Sequence, residues 1–322
     1  MRQITTDLLA NTGNKNDVEG TAYISELTEG TTKNGKTYKM GMLVTKEERI
    51  PLKIWDINEC IYAPDGIEGK LKDKPFESGV YHVKGSVNLY NNEYGVFVDY
   101  LEKIDEPLSN YIASPYNIKE LQGNLVDLFK NEMTPEACKL FKKMMCGKDF
   151  DAEKDNFRLY QLSVAAKSHH DAFISGLFAH SLKVTRIALN LISYYPAMKE
   201  KINKDILVLG CLLHDVAKIM EYKDLGISDI GKYCSHLSLG VEFLSKYKED
   251  IVDFAGTEGY YRLQSMITQH HGEFGDRPRT VEAYIVHQAD LIESRLEAVE
   301  EEVQKGTEQV GVRDGNEFYR LV

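Results

Sequence analysis

Nowhere in the 322 residues does an apolar run approach the ~20 needed to cross a bilayer, and the polar N-terminus lacks the apolar core of a signal peptide. Cytoplasm is therefore the expected location. Five cysteines, an odd number with no close Cys-x-x-Cys pair, argue against a disulfide framework or a zinc knuckle. Internal repeats and low-complexity tracts are absent too. Basic excess is also missing, since 39 Lys and Arg stand against 50 Asp and Glu for a net charge of -11. Neither half compensates: residues 1–105 hold 13 Lys and Arg against 17 Asp and Glu. Nucleic-acid proteins usually carry a basic footprint, so any strand bound here must be held in a local groove.

What is present suits a soluble globular chain. The hydrophobic fraction is 43% and the charged fraction 28%, and 322 residues are enough for two domains with a core each. The first region reads as β-rich, with strand candidates at 17–27, 36–45, 49–56, 79–90 and 93–104 and turn signals at Lys33-Asn34-Gly35 and Asn91-Asn92. A short helical or irregular passage, 57–74, separates the third from the fourth. Five strands with an insertion after the third is the order of an OB-fold barrel, although periodicity alone leaves other small barrels open. Pro107 and Pro115 bracket a linker, and helices follow at about 118–131, 135–146 and 151–166, the second capped by Thr134 with Pro135 at its first position. The tail after Gly306 is polar, with a hint of a final strand or docking segment over 312–322.

The chemistry gathers around Leu209-Gly-Cys-Leu-Leu-His214-Asp215-Val-Ala-Lys218. From Asp205 to Tyr222 the pattern predicts one helix that is apolar on nearly every side and hence buried. A buried carboxylate costs several kcal/mol unless it is paired or binds metal. Lys218, three residues beyond Asp215, offers an internal ion pair as the plain solution. The neighbouring segments repeat the theme. Phe173, Leu177, His180, Val184, Ile187 and Leu191 follow one helix face, turning His180 inward. After Ser235, a possible N-cap, His236, Leu239, Gly240 and Phe243 line another. Leu263, Met266 and His270 form a third, with His271 one step round, and Ala283, Val286, His287 and Asp290 a fourth. Each inward group alone is more often a satisfied core residue. Together they would need many separate partners, or one metal centre.

The order His180, His214-Asp215, His236, His270 or His271, Asp290 resembles the HD-domain metal-dependent phosphohydrolases, in the longer signature of their two-metal members. The phrases Ser168-His169-His170 leading through Ser175-Gly176 to His180, His236-Leu-Ser-Leu-Gly240 and Gln269-His270-His271-Gly272-Glu273 resemble, more narrowly, the YhaM-type 3'-5' exoribonucleases. That resemblance implies a multidomain chain: an all-β OB-fold barrel for nucleic acid at 1–105, a linker and connecting helix at 106–134, and an all-α HD domain at 135–322. It implies a metal-dependent phosphodiesterase that removes 5'-monophosphates from the 3' end of single-stranded RNA, and of single-stranded DNA as a second substrate. Two divalent ions are implied, manganese first, with iron, cobalt, zinc or magnesium as alternatives. His180, His214 and Asp290 would hold one ion and His236 with His270 or His271 the other, bridged by Asp215. Lys218 would contact a phosphate oxygen, and His170 and His169 the scissile phosphate or the strand. His287 is read as supporting or core. Candidate strand contacts are Tyr38, Lys39, Lys53, Trp55 (the sole tryptophan), Tyr81 and Tyr90 on the barrel, and Arg277 and Arg279 after the His-His turn. Homo-oligomers are compatible with all of this. The rival readings are a small-nucleotide or cyclic-dinucleotide phosphohydrolase whose β-module serves assembly, and a non-catalytic nucleic-acid-binding protein with a structural metal.

Overall fold

The computed structural model describes residues 2–46, 48–149, 151, 153–166, 172–304, 309–311 and 317–319. It divides into two compact units, Met1–Ala113 and Ser114–Val322.

In the first unit a short helix, α1 (Thr6–Thr12), precedes β1 (Asp17–Ile24), β2 (Thr28–Thr31), β3 (Thr37–Val44) and β4 (Arg49–Ile54). In β4 the alternation expected of a half-covered strand is clear, with Ile50, Leu52 and Ile54 buried while Pro51 and Lys53 face out. The passage read as helical or irregular holds instead two short strands, β5 (Ile61–Ala63) and β6 (Gly69–Lys70), and a 3-10 turn at Leu71–Asp73. The long hairpin of β7 (Gly79–Tyr90) and β8 (Glu93–Lys103) then turns at Asn91-Asn92, both with positive φ, as a tight two-residue hairpin requires.

Antiparallel pairs join β1 to β7, β7 to β8 and β3 to β4, and β4 runs parallel to β8 at Leu52↔Val96 and Lys53↔Phe97. A single pair, Tyr23↔Val44, joins β1 to β3. The pairings thus return on themselves through narrow seams, the partly open five-stranded arrangement of an OB-fold. A register shift at Lys84/Gly85 bends β7, and a Cβ on Gly85 would lie 2.1 Å from the Phe97 carbonyl oxygen, so only glycine fits there. Tyr111 and Ile112 are buried in this unit, and Gln3 Nε2 donates to the Asn110 carbonyl, so the stretch read as the start of a linker stays with the sheet.

The second unit is helical: α2 (Ile118–Glu132), α3 (Pro135–Met145), α4 (Asn156–Leu162), α5 (Gly176–Ser193), α6 (Pro196–Lys199), α7 (Lys204–Leu213), α8 (Lys218–Glu221), α9 (His236–Lys246), α10 (Lys248–Gln269) and α11 (Val281–Gln304). A two-stranded ribbon, β9 (Tyr222–Lys223) with β10 (Gly226–Ile227), follows α8, and another, β11 (Gln309–Gly311) with β12 (Glu317–Tyr319), follows α11. Thr134 caps α3, accepting from the Ala137 amide, with Pro135 at the first position as expected. Leu121, Leu125 and Leu128 of α2 join the helical core, so the segment read as a connecting helix is part of this unit. At its centre α7 is buried on every side from Ile206 to Leu213.

The single helix expected over 205–222 does not form. α7 ends at Leu213, and the residues after it close into tight turns in which the Val216 amide donates to the Leu213 carbonyl and the Lys218 amide to that of Asp215. The break falls on the His-Asp pair. α10 also bends, at Gly256, whose φ of 73° is closed to other residues without strain.

Candidate metal centre

His214 stands at the C-cap of α7 with Asp215 next to it, His236 is the first residue of α9, and His270 is the C-cap of α10. His180 comes from the first turns of α5 and Asp290 from the middle of α11. Three helix ends and two helix flanks therefore converge on one carboxylate. Asp215 Oδ2 lies 3.5 Å from His180 Nε2 and 3.4 Å from His214 Nε2. Its other oxygen, Oδ1, lies 3.4 Å from both His236 Nε2 and His270 Nε2. Asp290 Oδ1 sits 3.2 Å from His180 Nε2, and His271 Nε2 3.0 Å from His236 Nε2. Asp215, His180, His214 and His270 are each no more than 2% exposed.

The outer nitrogen of each ring determines what the inner one can do. His214 Nδ1 and His270 Nδ1 donate to the Cys211 and Ile267 carbonyls, each at 2.8 Å. His180 Nδ1 lies 2.7 Å from Glu293 Oε2, and His236 Nδ1 2.6 Å from Glu221 Oε2. With the proton on Nδ1, every neutral ring turns an Nε2 lone pair to the centre. Yet His180 Nε2 and His214 Nε2 are only 3.2 Å apart, and buried Asp215 Oδ1 and His270 Nε2 have no hydrogen-bond partner. Lone pairs facing one another around an orphaned carboxylate oxygen are what a cation satisfies. Ligand atoms of three trios lie mutually within 4.8 Å: His180-His214-Asp215, His236-His270-His271 and His214-His270-Asp290. The residues present therefore fit divalent metal, and Asp215 reaches two groups at once.

Electrostatics agree. Burial would raise the Asp215 carboxyl, but Lys218, His214 and His270 hold it well below the carboxylate range. Asp290 is likewise held down against burial by His180 and its neighbours. Burial lowers His270, and it lowers His271 to about 4, so both stay neutral at physiological pH. Lys218 Nζ is 2.7 Å from Asp215 Oδ2, and although burial opposes its charge, Asp215 raises its pKa above the ordinary lysine value.

The structure brings His180, His214, Asp215, Lys218, His236, His270, His271 and Asp290 together, with both members of the His-His pair turned in. His287 lies beside them, donating Nδ1–H to the His270 carbonyl at 2.6 Å. His169 and His170 lie outside the described residues. Arg277 is exposed on the turn after His271, and Arg279 there pairs with Asp276 at 3.1 Å. On the first unit, Tyr38 and Trp55 have ring centroids 5.0 Å apart, and Lys53 Nζ lies 5.4 Å from the Trp55 ring. Lys39 is taken up by Glu29 across the β2–β3 pair at 3.0 Å, and Tyr90 is exposed beside the β7–β8 turn. Tyr81 must be withdrawn from the strand-contacting set: it is fully buried, its hydroxyl donating to the Glu77 carbonyl, and offers no ring face to a base.

Four residues escaped the sequence reading. Phe97 extends the aromatic surface, 5.7 Å from Trp55, and was identifiable by its alternation with buried Val96 and Val98. Glu293, one turn beyond Asp290 on α11, and Glu221, one turn beyond Lys218, back two of the imidazoles, and the spacing was a usable signal. Lys183, 3.1 Å from Glu293 Oε1, had none.

The HD domain family profile matches residues 177–295, the part that supplies every residue of the centre. Among curated proteins, the 3'-5' exoribonuclease YhaM of Geobacillus sp. strain WCH70 is 26% identical, covering 93% of this chain and 90% of its own length. YhaM of Oceanobacillus iheyensis is 26% identical over 94% of each chain, and YhaM of Bacillus subtilis 27% identical over 92% of each. The second OB-fold domain of replication protein A from Methanococcus maripaludis, at 14% identity, aligns with 29% of this chain and 87% of its own, but the TM-score of 0.19 carries no weight. Residues 177–295 thus match the HD domain family, and over more than nine-tenths of its length the chain is similar to the YhaM 3'-5' exoribonucleases.

Proposed function

We propose that this protein is a metal-dependent 3'-5' exoribonuclease that shortens single-stranded RNA, with single-stranded DNA as a second substrate, and releases nucleoside 5'-monophosphates. The observation that carries the reading is Asp215, with two imidazole nitrogens within 3.5 Å of one oxygen and two within 3.4 Å of the other. The direction of attack follows the relatives named above. Two divalent ions sharing a carboxylate would activate a water and neutralise charge on the attacking and leaving oxygens. An imidazole and carboxylate donor set suits manganese, iron, cobalt or zinc better than calcium, and manganese is the ion proposed.

The chain's own residues supply the rest. His180 and His214 face one oxygen of Asp215 and His236 and His270 the other, each of these four rings held by its outer nitrogen so that no rotation is needed before binding, with Asp290 beside His180 and His271 beside His236. Lys218 keeps a positive charge 2.7 Å from the carboxylate, where a phosphate oxygen of the substrate would come to lie. On the β unit Tyr38, Trp55 and Phe97 form a partly exposed aromatic surface with Lys53 beside it, suited to stacking bases without reading sequence. No helix among the described residues is long and apolar enough to cross a membrane.

The test is a time course on 5'-labelled RNA with manganese, product sizes resolved. A ladder shortening by single nucleotides, with mononucleotide products, is expected. Internal cuts, or turnover confined to a panel of free and cyclic nucleotides, would refute the reading. Trp55→Ala should weaken binding of a non-hydrolysable single strand by about 5- to 100-fold, the loss of one stacked base, while leaving hydrolysis of a dinucleotide unchanged. Equal loss on both would make the aromatic surface structural.

A further inference from the structure

The two carboxylates that back the imidazoles are not equivalent. Glu293 is buried at 3% side-chain exposure; its Oε2 accepts a hydrogen bond from His180 Nδ1–H and its Oε1 lies 3.1 Å from Lys183 Nζ. Lys183 in turn reaches Glu297 at 2.5 Å, so an acid-lysine-acid chain stands behind His180. Glu221, 2.6 Å from His236 Nδ1, has no lysine or arginine partner among the described residues. The other two rings that approach Asp215, those of His214 and His270, are backed only by neutral carbonyls. Each side of Asp215 therefore has one carboxylate-backed and one carbonyl-backed imidazole, and only one of the carboxylates is partly neutralised.

A carboxylate accepting the far N–H of a histidine makes the near nitrogen a better donor and fixes the ring, typically worth 10- to 100-fold in metal affinity. A lysine on that carboxylate draws charge away and weakens the effect. We propose that Glu293 and Glu221 are positioning residues, each governing one of two metal positions, and that Lys183 makes those positions unequal, so that the His236 side binds its ion more tightly than the His180 side. This rests on the metal reading above and extends it to an order of filling. A protein built this way stays singly loaded, and inactive, until metal rises far enough to fill the weaker position.

The experiment is a manganese titration of the full-length apoprotein by calorimetry, with bound metal counted independently after dialysis. Two steps are expected for the parent. Glu221→Gln should weaken the tighter step 10- to 100-fold and leave the other, Glu293→Gln should weaken the looser step by less, and Lys183→Met should tighten it. Glu221→Asp and Glu293→Asp, which keep the charge, should recover part of each loss, and unchanged apoprotein melting would exclude misfolding as the cause. Two ions bound with equal affinity, both glutamine variants weakening the same step, or Lys183→Met leaving the steps unmoved would overturn the proposal while the two-metal reading stands. A parent that takes up no manganese would instead remove the metal reading itself.

Discussion

Asp215→Ala is expected to reduce exonuclease turnover to background, on the order of 10^4-fold or more, and to cut bound metal from two ions per chain to one or none. The size follows from position. Among the described residues Asp215 is the one whose oxygens lie within 3.5 Å of both imidazole pairs, so its loss removes one ligand from each position and the element that fixes their separation. Residues acting as one unit fail together when a shared member goes, which is why a single change should cost about as much as several. The same substitution leaves Lys218 in the centre without its ion-pair partner, and breaking a buried pair costs ~3–5 kcal/mol. Lost activity alone would therefore be ambiguous. Asp215→Asn keeps the shape and a hydrogen-bonding group, and it should fold while binding little metal. Strand binding by the β unit should survive in both variants, because that unit has its own hydrophobic core. If Asp215→Asn folds, carries two ions and degrades RNA at the parental rate, the centre has been misassigned.

The candidate ligands were legible because each sits on an apolar stripe, where an ionisable group has no cheap explanation. His180 falls between Leu177 and Val184, and Asp290 follows Ala283 and Val286. Between His270 and His271 the stripe favours His270, but the turn at the end of α10 brings both inward. The break after Leu213 was invisible for a related reason. Val216, Ala217 and Ile219 continue the apolar pattern through the turn, and periodicity registers burial without registering the change from helix to tight turns. Glu221 and Glu293 were passed over because glutamate on a helix ordinarily means solvent. What reverses that reading is their one-turn spacing from Asp290 and Lys218, which places them on the inward face, although it does not reveal which histidine each meets. On the β unit, alternation sorted β4 correctly and failed for Tyr81, because Val80, Tyr81, His82 and Val83 are all buried and parity carries no information where both faces are covered. Phe97 lay on a strand where parity did hold.

Lys218→Met should show opposite dependence on metal in stability and in catalysis. Without metal, Lys218 supplies the full positive charge nearest Asp215, 2.7 Å from Oδ2, while burial keeps His270 and His271 neutral at pH 7. Methionine keeps the length and removes the charge, leaving a buried carboxylate to be stabilised by ring nitrogens that must themselves protonate. The apoprotein should lose about 3–5 kcal/mol, the usual cost of removing one partner of a buried pair. Saturating manganese should restore most of it, because a cation bound to Asp215 takes over the neutralisation, and binding at 1,000 times its dissociation constant contributes ~4 kcal/mol per site. Catalysis should not recover. A metal-loaded Lys218→Met enzyme should turn over ~10^2- to 10^3-fold more slowly than the parent with substrate affinity nearly unchanged, the loss typical of a charge aimed at the transition state. Lys218→Arg keeps charge without the compact ammonium group and should stabilise the apoprotein better than it supports turnover. Paired melting curves and single-turnover rates, each with and without manganese, separate the two roles. Full activity in the loaded methionine variant would leave Lys218 as the partner of Asp215 alone, and an apoprotein as stable as the parent would mean that the imidazoles, rather than the lysine, carry the compensating charge.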